Sequence, residues 1–154
     1  MTIVMHPDAI SCFDLWRKLS DRLAVENMDK RKAAGRSVEE LSYIFQELPE
    51  ARFCFDIGQA RQWDPSMTEA YRLISRFRGR LAQVHVSEVA TDSRRGHFSA
   101  TAILAFREVA QFLPAHLPLI LESQIPTERI VAEVASLRSA FGPAAFAGPK
   151  APVA

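Results

Sequence analysis

Five short apolar runs of β type alternate along this chain with longer stretches of helical period, and that alternation restricts it to an α/β fold on a parallel sheet. The runs are Thr2 to His6, Arg22 to Glu26, Arg52 to Ile57, Leu81 to Val86 and Leu117 to Glu122. They are nearly continuous in apolar residues, as strands covered on both faces by crossover helices must be. Between them, Ile10, Phe13, Trp16 and Leu19 recur every three residues, and Val38, Leu41, Tyr43, Ile44, Phe45 and Leu48 line one side of the next helix. Ser37-Val38-Glu39-Glu40 has capping-box spacing, and Asp64-Pro65 offers a cap with proline in the first turn. Ser99 and Thr127 open the last two helices.

No change of composition marks a linker, so residues 1–141 read as one domain of five βα units. The remainder, 142–154, is GPAAFAGPKAPVA, without period, and is expected to be a flexible tail. A closed (β/α)8 barrel takes about 250 residues and eight strands, so the expected fold is a partial TIM barrel of parallel strands with two exposed sheet edges. The 48% hydrophobic and 24% charged composition excludes a disordered or fibrous chain. A net charge of +1 lacks the field that phosphate contacts demand, so nucleic acid is not an expected partner. No apolar run reaches the roughly 18 to 20 residues of a membrane span, and MTIVMHPDAI lacks the pattern of a signal peptide, so a soluble, cytoplasmic protein with no membrane partner is expected. Cys12 and Cys54 form no CxxC and read as reduced, buried thiols.

Where each apolar run stops, an ionisable side chain stands. Glu26 ends the second run, Asp56 closes the third, His85 the fourth and Glu122 the fifth, each about one βα unit from the last, and His6 ends the first in the same way. In parallel α/β folds the carboxyl ends of the strands form the rim on which sites are built. Converging carboxylates repel one another unless a cation neutralises them, and three carboxylates with one imidazole suit a divalent metal. Oxygen-rich ligation favours Mn²⁺ or Mg²⁺ over Zn²⁺.

The ordered pieces MHPD, AVENM, FCFDIGQA, QVHVSE with a later GHFS, and PLILES resemble the C-terminal part of a xylose isomerase-like TIM barrel. That superfamily includes sugar isomerases, sugar phosphate isomerases and epimerases, and endonuclease IV-type abasic-site nucleases. The likeness covers residues 1 to about 140 and begins at what would be the fourth strand of eight. In the epimerase branch a Glu, an Asp, a His and a Glu on successive strands bind one metal, which implies Glu26, Asp56, His85 and Glu122 here. The two glutamates act there on opposite faces of the substrate, which implies a catalytic role for Glu26 and Glu122. Gln59 stands where the family often has a His three residues after the Asp, and Arg95 stands where the nuclease branch has an Asp two residues before the loop His, here His97. Both departures weaken a trinuclear, nuclease-type site.

The resemblance implies a small sugar or sugar phosphate as substrate, and His6, Gln59, Arg95 and His97 are the candidate substrate contacts, with the alternative that the Ala90–Phe98 loop is merely solvated. The leading expectation is a metal-dependent isomerase or epimerase acting by proton abstraction next to a carbonyl. The rival from another class is a non-catalytic binding module, because an incomplete barrel excludes water and positions a sugar poorly. A homo-oligomer, or a partner chain completing the barrel, is expected to cover the open edges.

Overall fold

The computed structural model describes residues 2–142. Its framework is a five-stranded, all-parallel sheet in sequential order: β1 (Ile3–Met5), β2 (Leu23–Glu26), β3 (Arg52–Asp56), β4 (Leu81–Val86) and, at the far edge, Leu119–Leu121. Two further strands, β5 (Glu88–Val89) and β6 (Arg95–Gly96), form a small antiparallel hairpin between the fourth and fifth strands of the sheet, so that the last strand is β7 (Leu119–Leu121). The sheet curls into a half-barrel flanked by helices, a partial βα barrel as the alternation of runs predicts. Among the described residues, no helix is long and apolar enough to cross a membrane. The expected tail lies outside the described residues save for Gly142.

The convex face of the sheet carries the core. Val25, Phe53, Phe55, Val84 and Val86 are all fully buried against the helices α2 (Val38–Glu47), α4 (Thr68–Phe77) and α5 (Ala100–Ala110). The rings of Phe45, Phe53, Phe55 and Phe77 pack edge to face or tilted, with centroids 4.9 to 6.1 Å apart. With the outward-facing alternate residues thus consumed, the remaining alternates, Ala24 and Glu26, Cys54 and Asp56, Gln83 and His85, Ile120 and Glu122, fall on the concave face. In β4 strict alternation would put Leu81 on the same side as His85. A register shift between β3 and β4 resolves this, pairing Phe53 with Leu81 but Cys54 with Gln83, so that Leu81 joins the core and His85 still stands level with Asp56.

Several local expectations are corrected. The spacing of three from Ile10 to Leu19 yields only a short helix, α1 (Phe13–Arg17), between 3₁₀ turns, because three residues per turn is the 3₁₀ period rather than 3.6. Tyr43 lies off the buried stripe of α2 and is 59% exposed, edge-on to Phe13. Ile57 is not strand but the first residue of a separate helix, α3 (Ile57–Trp63), which follows β3 without a loop. Asp64-Pro65 lies in the turn before α4, and the Asp64 carboxylate reaches forward to accept from the Glu69 amide at 2.8 Å. Thr127 opens a 3₁₀ turn, and α6 (Ile130–Phe141) begins three residues later. Cys12 is exposed, since α1 turns its N-terminal end to solvent, whereas Cys54 is buried as expected. Ser37 and Ser99 do cap α2 and α5, accepting from the amides of Glu40 and Ala102.

Gly58 sets the distance between α3 and the end of β4. A Cβ there would lie 2.1 Å from the Ser87 carbonyl oxygen, so only glycine lets the start of α3 approach the strand end that carries His85.

Candidate metal centre

Parallel pairing brings the ends of β2, β3, β4 and β7 side by side. Asp56 pairs with His85, Glu26 stands level with Cys54, and the Glu122 amide extends the ladder beyond β7 by donating to the Val86 carbonyl at 3.0 Å. Glu26, Asp56, His85 and Glu122 thereby each place one ligand-type atom within 4.8 Å of all the others. Asp56 is fully buried, Glu26 is 2% exposed, and Glu122 is the most open of the carboxylates at 28% of its side chain.

Each ligand is held by a partner around it. The amide of the third residue of α3 sits over Asp56, whose Oδ1 accepts from this Gln59 amide at 2.8 Å as a helix cap. The Gln59 side chain donates to Asp56 Oδ2 at 3.1 Å and to Glu26 Oε1 at 2.8 Å, while its Oε1 accepts from the Asp29 amide at 3.0 Å. Gln59 is therefore spent as a clamp that aligns two carboxylates, and it is 3% exposed. Asn27 clamps the backbone of Asp56, donating to its carbonyl and accepting from its amide, both at 2.8 Å. His6 lies 3.3 Å from Glu26 Oε2, which fixes that oxygen and leaves Oε1 facing inward. Gln83 meets His85 Nε2 at 2.7 Å and orients the ring so that Nδ1 points at the carboxylates.

Arg95, carried on β6, closes the cluster. Its guanidinium lies 2.7 Å from Asp56 Oδ2, 2.5 Å from Glu122 Oε2 and 3.6 Å from Glu26 Oε1, and it donates to Ser87 Oγ at 3.1 Å. His97, two residues further on, is exposed and takes part in none of the hydrogen bonds or ion pairs of the cluster. Of the expected substrate contacts, His6, Gln59 and Arg95 are thus gathered at the site and His97 is not.

The electrostatics follow from this crowding. Burial raises the Asp56 carboxyl, and repulsion from Glu26 adds to it, taking the group to about 7 against the opposing pull of Arg95. Burial also acts to raise Glu26, but the close approach of His6 and His85 outweighs it and holds this carboxyl well below the usual range. For His85, burial disfavours the charged ring, yet the proximity of Cys54, Glu122 and Glu26 prevails and the ring is pushed up to about 12. Burial takes the Cys54 thiol to about 11, so it stands here as a neutral group.

The donor set fits a divalent cation. His85 Nδ1 is buried with no hydrogen-bond partner, although it lies 3.2 Å from Glu122 Oε1 and 3.3 Å from Glu26 Oε1. With the ring protonated, Nδ1 meets only carboxylate oxygens, and a cation among them would displace that proton and take the nitrogen as a ligand. Sequence reasoning did not find the place of Cys54: Glu26, Cys54 and His85 form a second group with ligand atoms within 4.8 Å. Period-two alternation from Asp56 is the signal that points to it. Asn27 was missed too, and its only signal is its position next to Glu26. No family model and no curated protein matches the chain.

Proposed function

We propose that this chain is a divalent-metal-dependent isomerase or epimerase of xylose isomerase-like type, acting on a small sugar or sugar phosphate by moving a proton next to a carbonyl. The observation that supports it is the convergence of Glu26, Asp56, His85 and Glu122 from the ends of four adjacent parallel strands to within 4.8 Å. The bound cation, Mn²⁺ or Mg²⁺ by the oxygen-rich donor set, would supply Lewis acidity toward a substrate oxygen.

The chain's own residues divide the remaining work by exposure. Glu26, with Oε2 on His6 and Oε1 on Gln59, is a ligand fixed in place. Asp56 is fully buried and capped, and serves the same end. Glu122 has the most exposed side chain of the three carboxylates, although its Oε2 is buried, and no helix cap or amide clamp on its oxygens, which suits it to take up and return a proton. His6, 44% exposed at its side chain and bonded to Glu26, stands at the opposite side of the sheet from Glu122 and is placed to contact substrate there.

The test works across a whole substrate class at once. Incubation of ketopentoses, ketohexoses and their phosphates in D₂O with the protein and Mn²⁺ should show proton exchange at the carbon next to the carbonyl by NMR. Metal binding with no exchange on any of them would favour the binding-module reading, which the self-neutralising pairs of Arg95 with the carboxylates support.

The sheet edges bear on partners. The outer edges of β1 and β7 are unpaired among the described residues, and Ile120 on the concave face is 39% exposed. Unprotected parallel edges invite strand addition, so light scattering at micromolar concentration should return a homodimer or larger; a stable monomer would refute this part.

A further inference from the structure

The three carboxylates of the site are already contacted by a cation that belongs to the chain. Asp56 has one oxygen, Oδ1, committed to the cap of α3, and Glu26 has Oε2 committed to His6. The atoms left for a metal are Asp56 Oδ2, Glu26 Oε1 and the carboxylate of Glu122. Arg95 addresses the same atoms, Asp56 Oδ2 at 2.7 Å, Glu122 Oε2 at 2.5 Å and Glu26 Oε1 at 3.6 Å. A guanidinium and a divalent ion are both cations and compete for the same lone pairs at a buried site where solvent screens them little. They also differ in one respect. The guanidinium contacts the carboxylates and Ser87 but not His85 Nδ1, which is left buried without a hydrogen bond, whereas a metal ion would take that nitrogen as a ligand.

From this we infer that Arg95 and the divalent cation occupy the site alternately: Arg95 holds it in the metal-free chain and swings out when metal enters. The inference rests on the metal-binding reading above and concerns how that site is controlled. The exchange is local. The backbone of Arg95 stays tied to the sheet end through its carbonyl, which accepts from the Gln124 amide at 3.1 Å, so the movement is a rotation of a long side chain. The side chain already reaches solvent, being 20% exposed, and Ala90, Thr91, Asp92 and Arg94 of the same hairpin are exposed. Metal affinity is thereby set lower than the four ligands alone would give, because part of the binding free energy goes into breaking the contacts of Arg95.

The test is a titration of the full chain with Mn²⁺, read by the EPR signal of the free ion, for the native protein, Arg95→Met and Arg95→Lys. Arg95→Met should bind Mn²⁺ at least tenfold more tightly than the native protein, and Arg95→Lys, which keeps the charge, should remain within about threefold of it. Equal affinities in the native protein and Arg95→Met would overturn the exchange and leave the metal reading standing; no Mn²⁺ bound by either would overturn both. A second measurement uses the native chain and so does not depend on the variants folding. Phenylglyoxal modification, mapped to Arg95 by peptide mass, should rise severalfold on addition of Mn²⁺, and an unchanged rate would overturn the proposal.

Discussion

Replacing His85 and Asp56 together by alanine should weaken Mn²⁺ binding by more than a hundredfold. The two side chains stand level in the β3–β4 ladder and supply the imidazole and one inward carboxylate oxygen of the four-residue cluster. Outer-shell partners of metal ligands are typically worth 10- to 100-fold in affinity, so loss of two direct ligands must exceed that. The variant also loses the cap of α3, at a cost of about 1 kcal/mol, and relieves a buried carboxyl whose ionisation burial already opposes. Circular dichroism should therefore show a folded protein. Asp56→Asn, which retains an oxygen for the Gln59 amide, separates the cap from the ligand. Affinity within tenfold of the native chain in the double variant would end the metal reading.

The framework of the site was legible in the sequence because burial on both faces leaves a strong mark. Runs such as Phe53-Cys54-Phe55 have no polar residue to expose, and the last ionisable side chain within each run marks where the strand reaches the rim. Glu26, Asp56, His85 and Glu122 all follow from that rule. Their mutual register does not, since it depends on the irregularity between Phe53 and Cys54, and one residue of slip would have turned His85 toward the core. Helix α3 escapes sequence reading because its seven residues are too few to show a period, and its first residue, Ile57, continues the apolar run of β3.

Arg95 shows a different limit. It lies on a two-residue strand, after a turn in which Ser93 adopts φ of 64°, and such a hairpin leaves little pattern beyond Thr-Asp-Ser. The resemblance marks Arg95 as a departure from a ligand-bearing pattern, and its loop makes it a candidate contact for substrate. Only the packed structure shows its guanidinium among the carboxylates, because that placement arises from the hairpin folding back over the rim, a tertiary event with no local periodicity. The same holds for Gln59. The resemblance makes it stand in for a ligand, yet its amide bridges Glu26 and Asp56 and fixes both.

Glu122→Gln should lower any proton exchange between a ketose and D₂O by at least 100-fold while leaving the protein folded. General acid–base catalysis by a placed side chain contributes about 10² to 10⁴, and an amide of the same shape has no basic oxygen with which to accept the proton. Glu122 is singled out among the carboxylates because it meets only His85 and Arg95, whereas the others are in addition clamped by Gln59: Glu26 by His6, Gln59 and His85, Asp56 by the cap of α3, Gln59 and Arg95. Of the three carboxylates, only Glu122 combines proximity to His85, at 3.2 Å, with a side chain 28% exposed. Glutamine keeps an oxygen able to approach a cation, so Mn²⁺ affinity should fall far less than exchange does, and the ratio of the two losses separates a base from a mere ligand. Parallel losses of similar size would assign Glu122 to the metal alone. Exchange surviving within about tenfold, equivalent to roughly 1.4 kcal/mol of barrier, would place the base elsewhere, with Glu26 the next residue to replace.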